Sequence, residues 1–328
     1  MLQTLSCAAE RRRLKAPFRI SRGVKTEIET VVATVERDGV TGRGEGVPYG
    51  RYGEDVQSVI DQIESVRSQV RAGLDRQGLM GLLPPGAARN ALDCALWDLE
   101  ARSAGSTVSA LLGRSRPGPC VTALTVSLDT PERMGAAASG LAAAPLIKVK
   151  VDGTDPEAQV AAVRAAAPAA RMIVDPNEGW SLELLRDLQP FLRSARVDLV
   201  EQPLPSGADE GLETFSPLVP VCADESFHSG DDIEVVSRRY QCVNIKLDKS
   251  GGLTHALELQ AMARARGLSV MVGCMVCTSL SIAPALLLAQ DADFIDLDGP
   301  LWLASDYPDG VRGAAGLLTP PGGTLWAL

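Results

Sequence analysis

The chain has 328 residues, 45% of them hydrophobic, enough for one large barrel or two domains and too apolar for extensive disorder. A net charge of −9 argues against a nucleic-acid surface, which needs clustered Lys and Arg. The one basic cluster, Arg11-Arg12-Arg13 with Lys15, reads as a solvated strand edge, and no uninterrupted apolar stretch of about 18 residues predicts a membrane span.

The opening MLQTLSCAAERRRLK lacks an apolar core followed by a cleavage site, so no secretory signal is expected. Alternating runs at 28–36 (IETVVATVE) and in GRGEGVPYG predict antiparallel strands joined at Asp38-Gly39. Helices are predicted near 55–72 and 86–103. Residues 1–115 thus read as an α+β domain. From about residue 117 the pattern becomes a repeat of short β-rich runs: 120–128, 146–151, 171–175, 197–202, 219–225, 242–248, 268–275 and 294–298. Amphipathic stretches at 155–167, 181–193, 252–266 and 278–289 lie between them, with Asp155-Pro156 and Ser181 placed as caps. Strand–helix alternation implies right-handed βαβ units and a parallel sheet. Residues 116–302 are therefore expected to form a barrel, with an open doubly wound sheet as the alternative. Residues 303–328 lack the repeat and carry Pro308, Pro320 and Pro321; packing back on the first domain and a plain structural tail fit this composition equally. The seven cysteines form no regular framework. Cys94, Cys222, Cys242 and Cys274 sit in apolar runs and read as small buried hydrophobes. Cys274 and Cys277 lack the second pair a zinc site needs. Reduced thiols predict a cytoplasmic protein.

Six ionisable residues interrupt the apolar runs: Lys150, Asp175, Glu201, Asp224, Lys246 and Asp298, at gaps of 25, 26, 23, 22 and 52 residues. A buried charge is costly unless it is paired or holds a metal, so its recurrence at strand ends predicts one shared polar site at a barrel mouth. Asp175, Glu201 and Asp224 supply oxygen alone, which favours Mg2+ over zinc. Lys148 and Lys150 are two apart and share a strand face. Lys246 falls on the sixth strand, opposite the second. Amines on both sides of a metal-held substrate suit removal of a proton α to a carboxylate and its return to the other face, with the cation stabilising the dianion left behind. Such a base is usefully tuned to a pKa of about 7–8, against about 10.4 for a free lysine.

KVK at 148–150, VDPNE, VEQPLP, ADES and NIKLDK, in that order, resemble the enolase superfamily, muconate lactonizing enzyme subgroup. The handling of α-protons by a Lys or His base with Mg2+ is a known pattern of that superfamily. The resemblance covers essentially the whole chain and implies a (β/α)7β modified TIM barrel behind an N-terminal α+β capping domain. It makes Asp175, Glu201 and Asp224 the ligands of one Mg2+ and Lys150 and Lys246 the acid/base pair. Lys148 supports Lys150, and Glu225 and Asn177 stand behind the ligands. Asp296-x-Asp298 in FIDLDGP is similar to the pair that binds a free α-ammonium in the dipeptide epimerases of this superfamily, and two anions there suit a cation. NALDCALWDL at 90–99 is similar to the Ala–Glu branch. That branch implies epimerisation of the C-terminal residue of a small dipeptide, L-Ala-D/L-Glu, in recycling of cell-wall peptides. N-acyl amino acid racemase or o-succinylbenzoate synthase activity is the alternative, followed by a non-catalytic barrel and a Schiff-base aldolase.

Substrate reading is assigned to two glycine-bearing flaps, RISRGVKTE (19–27, with Arg22 and Lys25) and PYGRYGE (48–54, with Arg51 and Tyr52). Lys25 stands where the resemblance leads one to expect Arg, keeping the charge but losing the bidentate fork. Thr125, Cys274 and Val276 match substrate-contacting positions. A homo-oligomer is compatible with the sequence.

Overall fold

A period-two alternation shapes the start of the chain, and the computed structural model describes residues 3–21, 23–230 and 233–328. β1 (Thr4–Ile20) pairs antiparallel with β2 (Gly23–Arg37), and β2 with β3 (Val40–Gly46). Asp38 (φ 54°) and Gly39 (φ 76°) are both left-handed at the β2–β3 turn, the two-residue geometry that follows strand twist. α1 (Val56–Ser65), α2 (Arg67–Arg71), α3 (Arg76–Met80), α4 (Ala87–Ser103) and α5 (Val108–Leu111) follow. The single helix expected over 55–72 is interrupted at Val66 (φ −103°, ψ 9°), where the valine turns into the core and Arg67 reaches the Leu5 carbonyl on β1.

β3 meets α4 through a face made of glycine. A Cβ on Gly42, Gly44 or Gly46 would lie 2.2, 2.2 or 2.1 Å from the carbonyl oxygens of Ala95, Ala91 and Ala87. Two strand residues advance about 6.7 Å and four helix residues about 6 Å, so GxGxG and AxxxAxxxA stay in step. The helix therefore lies directly on the strand backbone.

Beyond α5 the strand–helix repeat takes over. The expected first strand, 120–128, is split into β4 (Cys120–Val121) and β5 (Leu124–Val126). β5, β6 (Leu146–Lys150), β7 (Arg171–Asp175), β8 (Leu199–Glu201), β9 (Val221–Ala223), β10 (Cys242–Ile245), β11 (Ser269–Gly273) and β12 (Phe294–Asp296) form one parallel sheet in chain order. Ala123 N donates to Ile295 O (2.8 Å) across the β5–β12 seam and closes it into a barrel. Around it run α6 (Pro131–Ser139), α7 (Pro156–Ala166), α8 (Leu182–Ser194), α9 (Ile233–Arg239), α10 (Leu247–Ser250), α11 (Leu253–Ala265) and α12 (Ser279–Ala289). Asp155 and Ser181 cap α7 and α8, accepting from Ala158 N and Leu184 N. After β8 a short 3-10 turn, Glu210–Thr214, stands in for a helix. β13 (Arg312–Ala314) and β14 (Leu317–Thr319) pair with β4 in a small sheet of their own. The last residues lie on α4 and α5: Trp326 Nε1 donates to Cys94 O (3.1 Å) and Val108 N to Ala327 O (2.7 Å). Among the described residues no helix is long and apolar enough to cross a membrane.

The barrel floor is apolar, filled by Leu146, Ile173, Leu199, Met271 and the neighbouring Cys222 and Cys242. All seven cysteines are free thiols. Cys274 departs from the expected buried role: it is only partly buried, because β11 ends at Gly273 and the thiol falls at the rim of a cavity.

The seam between α+β layer and barrel is polar. Glu45 on β3 accepts from Thr278 N (2.8 Å), Asp248 on α10 from Val47 N and Asn90 Nδ2 (both 2.8 Å), and Asp93 on α4 from Thr254 Oγ1 (2.6 Å). Burial pushes these carboxyls up, Glu45 to about 8, Asp248 to about 7 and Asp93 to about 6. Raised values mean that the folded chain keeps protons the unfolded chain releases above about pH 4. Their stabilising share is complete below that pH and is lost as pH climbs toward 8. The melting temperature is expected to fall by on the order of 5 °C from about pH 5 to about pH 8. Glu45→Gln, which removes the largest of these shifts, should flatten the slope; an unchanged slope in calorimetry would refute the assignment.

Candidate active site

Strand ends converge on a cavity of about 450 Å³ at the C-terminal mouth of the barrel. Asp175 and Glu201 are the last residues of β7 and β8, Asp224 follows β9, and all three are buried. Each has one oxygen held from behind. Asp175 Oδ1 accepts from Asn177 N (2.9 Å), Glu201 Oε1 from Asn244 Nδ2 (2.8 Å) and Asp224 Oδ1 from Lys249 Nζ (2.6 Å). The other oxygen faces a lysine of the site: Asp175 Oδ2 lies 2.5 Å from Lys150 Nζ, Glu201 Oε2 2.6 Å from Lys148 Nζ and Asp224 Oδ2 2.6 Å from Lys246 Nζ. Lys148 also approaches Asp175 (3.0 Å) and Asp296 (2.8 Å), so one ammonium ties three acids together. Lys150 ends β6 and Lys246 follows β10, and in the ring of eight these strands stand opposite each other.

Among the described residues no three Asp, Glu, His or Cys side chains make a ready-formed cation cage on their own, since lysines stand between the acids. The donor set nevertheless fits a hard divalent cation. It consists of oxygen from three separate strand ends, each carboxylate fixed on its far side and each near oxygen already on a positive charge. Glu201 Oε2 meets Lys148 as an ion pair alone, with no hydrogen bond of its own in this arrangement. Burial, reinforced by Asp175, outweighs the Lys148 ammonium 2.6 Å away and pushes the Glu201 carboxyl up to about 7. Asp175 is driven the other way: burial opposes ionisation, but Lys150 and Lys148 outweigh it and lower the group to about 2.

Lys246 and Lys148 depart from one expectation. Burial would discharge Lys246, yet Asp224 and Glu201 outweigh it and hold the ammonium well above the usual lysine range, so no tuning down toward neutrality is seen. Lys148 behaves alike under Asp296, Glu201 and Asp175. The cause is the excess of buried carboxylates, which a cation would offset.

Asp296 ends β12 and Asp298 lies just beyond it, and both line the cavity. Asp298 Oδ2 accepts from Thr125 N (2.8 Å) and Trp302 Nε1 (3.3 Å). Thr125, Cys274 and Val276 also line it; Val276 packs with Ile28 and Leu303. The α+β layer supplies the roof. Lys25 Nζ sits 5.0 Å from the Tyr49 ring centre, and burial holds its ammonium below the usual lysine range. Arg51 clasps the barrel through a fork on Glu178 (3.0 and 2.9 Å), aided by left-handed backbone at Asn177 and Glu178. Asn177 and Glu225 line the cavity beside the acids; Arg22 lies outside the described residues. Sequence reasoning did not single out Asn244, Gln202, Trp302 or Lys249. Gln202 Oε1 accepts from Asp224 N (2.8 Å) and so fixes the end of β9. Its only signal was its place in VEQPLP, and that of Lys249 the second lysine of NIKLDK.

Residues 3–113 match the family model for the mandelate racemase / muconate lactonizing enzyme N-terminal domain, and residues 133–321 that for the enolase C-terminal domain-like fold. The chain belongs to the enolase superfamily. Within it, the chain is 46% identical to the L-Ala-D/L-Glu epimerase of Escherichia coli (strain K12), over 97% of this chain and 99% of that protein. It is 43% identical to an N-acetyl-D-glutamate racemase from Pseudoalteromonas sp., over 87% and 91%. A crystal structure of an enolase family member from Agrobacterium tumefaciens with homology to dipeptide epimerases, holding sodium and L-Ala-L-Glu, superposes with a TM-score of 0.96 at 46% identity, covering 99% of each chain.

Proposed function

We propose that the chain is a Mg2+-dependent dipeptide epimerase, an isomerase that inverts the α-carbon of the C-terminal residue of L-Ala-D/L-Glu. The observation that carries this reading is the placement of Lys150 and Lys246 on opposite strands around one cavity floored by acids. Asp175, Glu201 and Asp224 would hold the cation, which when bound sets positive charge against the substrate carboxylate as negative charge builds there. Each lysine reaches one face of a carbon held between them. One, as the free amine, takes the α-proton; the other, as the ammonium, delivers a proton to the opposite face. Lys148 remains charged among its three acids and keeps the floor electrically balanced. Asp296 and Asp298 receive the free α-ammonium of the first residue. Lys25, whose ammonium has no carboxylate within ion-pair distance among the described residues, receives the side-chain carboxylate of the second. Thr125, Cys274 and Val276 bound the remaining substrate surface. The flap clasped by Arg51 keeps water out.

Racemisation of N-acyl amino acids is the second reading. Asp296 Oδ2 already faces Lys148, and Asp298 Oδ2 is already capped by Thr125 N and Trp302, so one oxygen of each acid is met without an ammonium from substrate, though Asp296 Oδ1 makes no hydrogen bond. The 43% identical racemase supports this reading.

Proton NMR in D2O with Mg2+ separates the two. Loss of the Glu α-proton signal from L-Ala-L-Glu, with the epimer appearing, is the expected result; exchange of N-acetylglutamate alone would select the second reading, and exchange of neither would remove both. Asp298→Asn should cost dipeptide turnover about tenfold or more through loss of a charged hydrogen-bond partner, and N-acetylglutamate turnover far less. Equal losses would undercut the ammonium assignment.

A further inference from the structure

Lys246 and Lys249 share the motif NIKLDK, but only the first faces the cavity. α10 turns Lys249 beneath the end of β9, where the side chain is 1% exposed. Its Nζ donates to Asp224 Oδ1 (2.6 Å) and lies within hydrogen-bonding distance of three carbonyls, Asp224 O (2.5 Å), Phe227 O (3.1 Å) and Asn244 O (3.0 Å). Tying carbonyls needs only a neutral donor. A buried ammonium is costly unless an anion meets it, and among the described residues the one carboxylate in ion-pair contact with Lys249 is Asp224.

The other two strand-end acids are held from behind by neutral groups, Asn177 N and Asn244 Nδ2. Asp224 alone is held by a charge, and Asp224 is also the acid that grips Lys246. We propose that Lys249 is a positioning residue that anchors Asp224 Oδ1 as a standing counter-charge, so that Oδ2 turns to the cation and Lys246 is released for proton transfer. This rests on the reading of Asp224 as a cation ligand. Without Lys249, Lys246 becomes the only ammonium on Asp224 and competes with the cation for it.

Mn2+ titration of the purified protein, followed by electron paramagnetic resonance, tests the assignment without recourse to turnover. Lys249→Met is expected to weaken Mn2+ binding about 10–100-fold, the range for groups that orient a ligand, while KM for the dipeptide at saturating Mn2+ changes little. In an Asp224→Asn background the same substitution should weaken Mn2+ binding no further, because the partner through which it acts is gone. Should Lys249→Met fail to fold, Lys249→Gln measured in both backgrounds reads the same coupling. Unchanged Mn2+ affinity in the folded Lys249 variant, or equal losses in both backgrounds, would overturn the proposal and leave Lys249 a structural tie. A wild-type protein that binds no Mn2+ would overturn both the proposal and the functional reading beneath it.

Discussion

Lys246→Ala is expected to lower kcat for epimerisation by about 10³-fold or more, at the upper part of the range for a positioned acid or base, with a much smaller change in KM. Epimerisation needs two proton transfers on opposite faces, and Lys246 and Lys150 stand on opposite strands of the ring. Removing one leaves the other in place. The variant should therefore still wash solvent deuterium into one epimer, the one whose α-proton points at Lys150, without converting it. Lys150→Ala should show the mirror image. Lys246 is paired with Asp224 at 2.6 Å, so its loss frees a ligand oxygen, and Mn2+ affinity should hold or rise. Deuterium entering both epimers at wild-type rates in Lys246→Ala would end the two-base reading. A parallel loss of exchange at both faces and of Mn2+ binding would mark a collapsed site instead.

Chelation with EDTA should abolish turnover, and Mg2+ or Mn2+ should restore it where Na+ and K+ do not. Glu201→Gln should weaken divalent-cation binding by more than about 100-fold, beyond the loss typical of groups that merely support a ligand. Gln keeps the length of the side chain and an oxygen for Asn244 Nδ2, which now meets Glu201 Oε1 at 2.8 Å. What it removes is charge, and Glu201 Oε2 is the one near-side oxygen that makes no hydrogen bond in this arrangement. Excess Mg2+ should recover part of the activity of Glu201→Gln, since two ligands remain. Turnover that survives EDTA would point to lysine chemistry without metal, and trapping of a carbonyl substrate by borohydride would identify it.

The strand-end acids and lysines could be read from the chain because charge inside an apolar run has few explanations. Asp175, Glu201, Asp224 and Lys246 all fall at the ends of their strands for that reason. The Asp38-Gly39 turn and the Asp155 and Ser181 caps were legible because those backbone positions favour particular residues. Features set by contact between distant segments were not. Periodicity ran through Val66, where Arg67 reaches β1 and the helix breaks. It also ran through Thr122 and Ala123, where the strand changes sheets because Thr122 N goes to Gly316 O and Ala123 N to Ile295 O. Cys274 looked like core because its neighbours are apolar, yet it sits at the cavity rim. The electrostatic state of Lys246 depends on which acids close in around it, and strand order alone does not show how near they come. Lys249 was hidden by its neighbour: two lysines three apart gave no sign that one lines the cavity and the other lies buried against Asp224.

The glycine stripe on β3 limits how this architecture can diversify. Any side chain at Gly42, Gly44 or Gly46 would strike a carbonyl of α4, and Asn90 on the same helix holds Asp248, two residues past Lys246. Mutational drift along that strand would be transmitted through one helix toward Lys246. The roof segment 48–54 is tied down through side chains instead, Arg51 on Glu178 and Glu54 on Ala87 N, leaving new substrate preferences to arise by rewriting its other residues while the joint beneath it stays frozen.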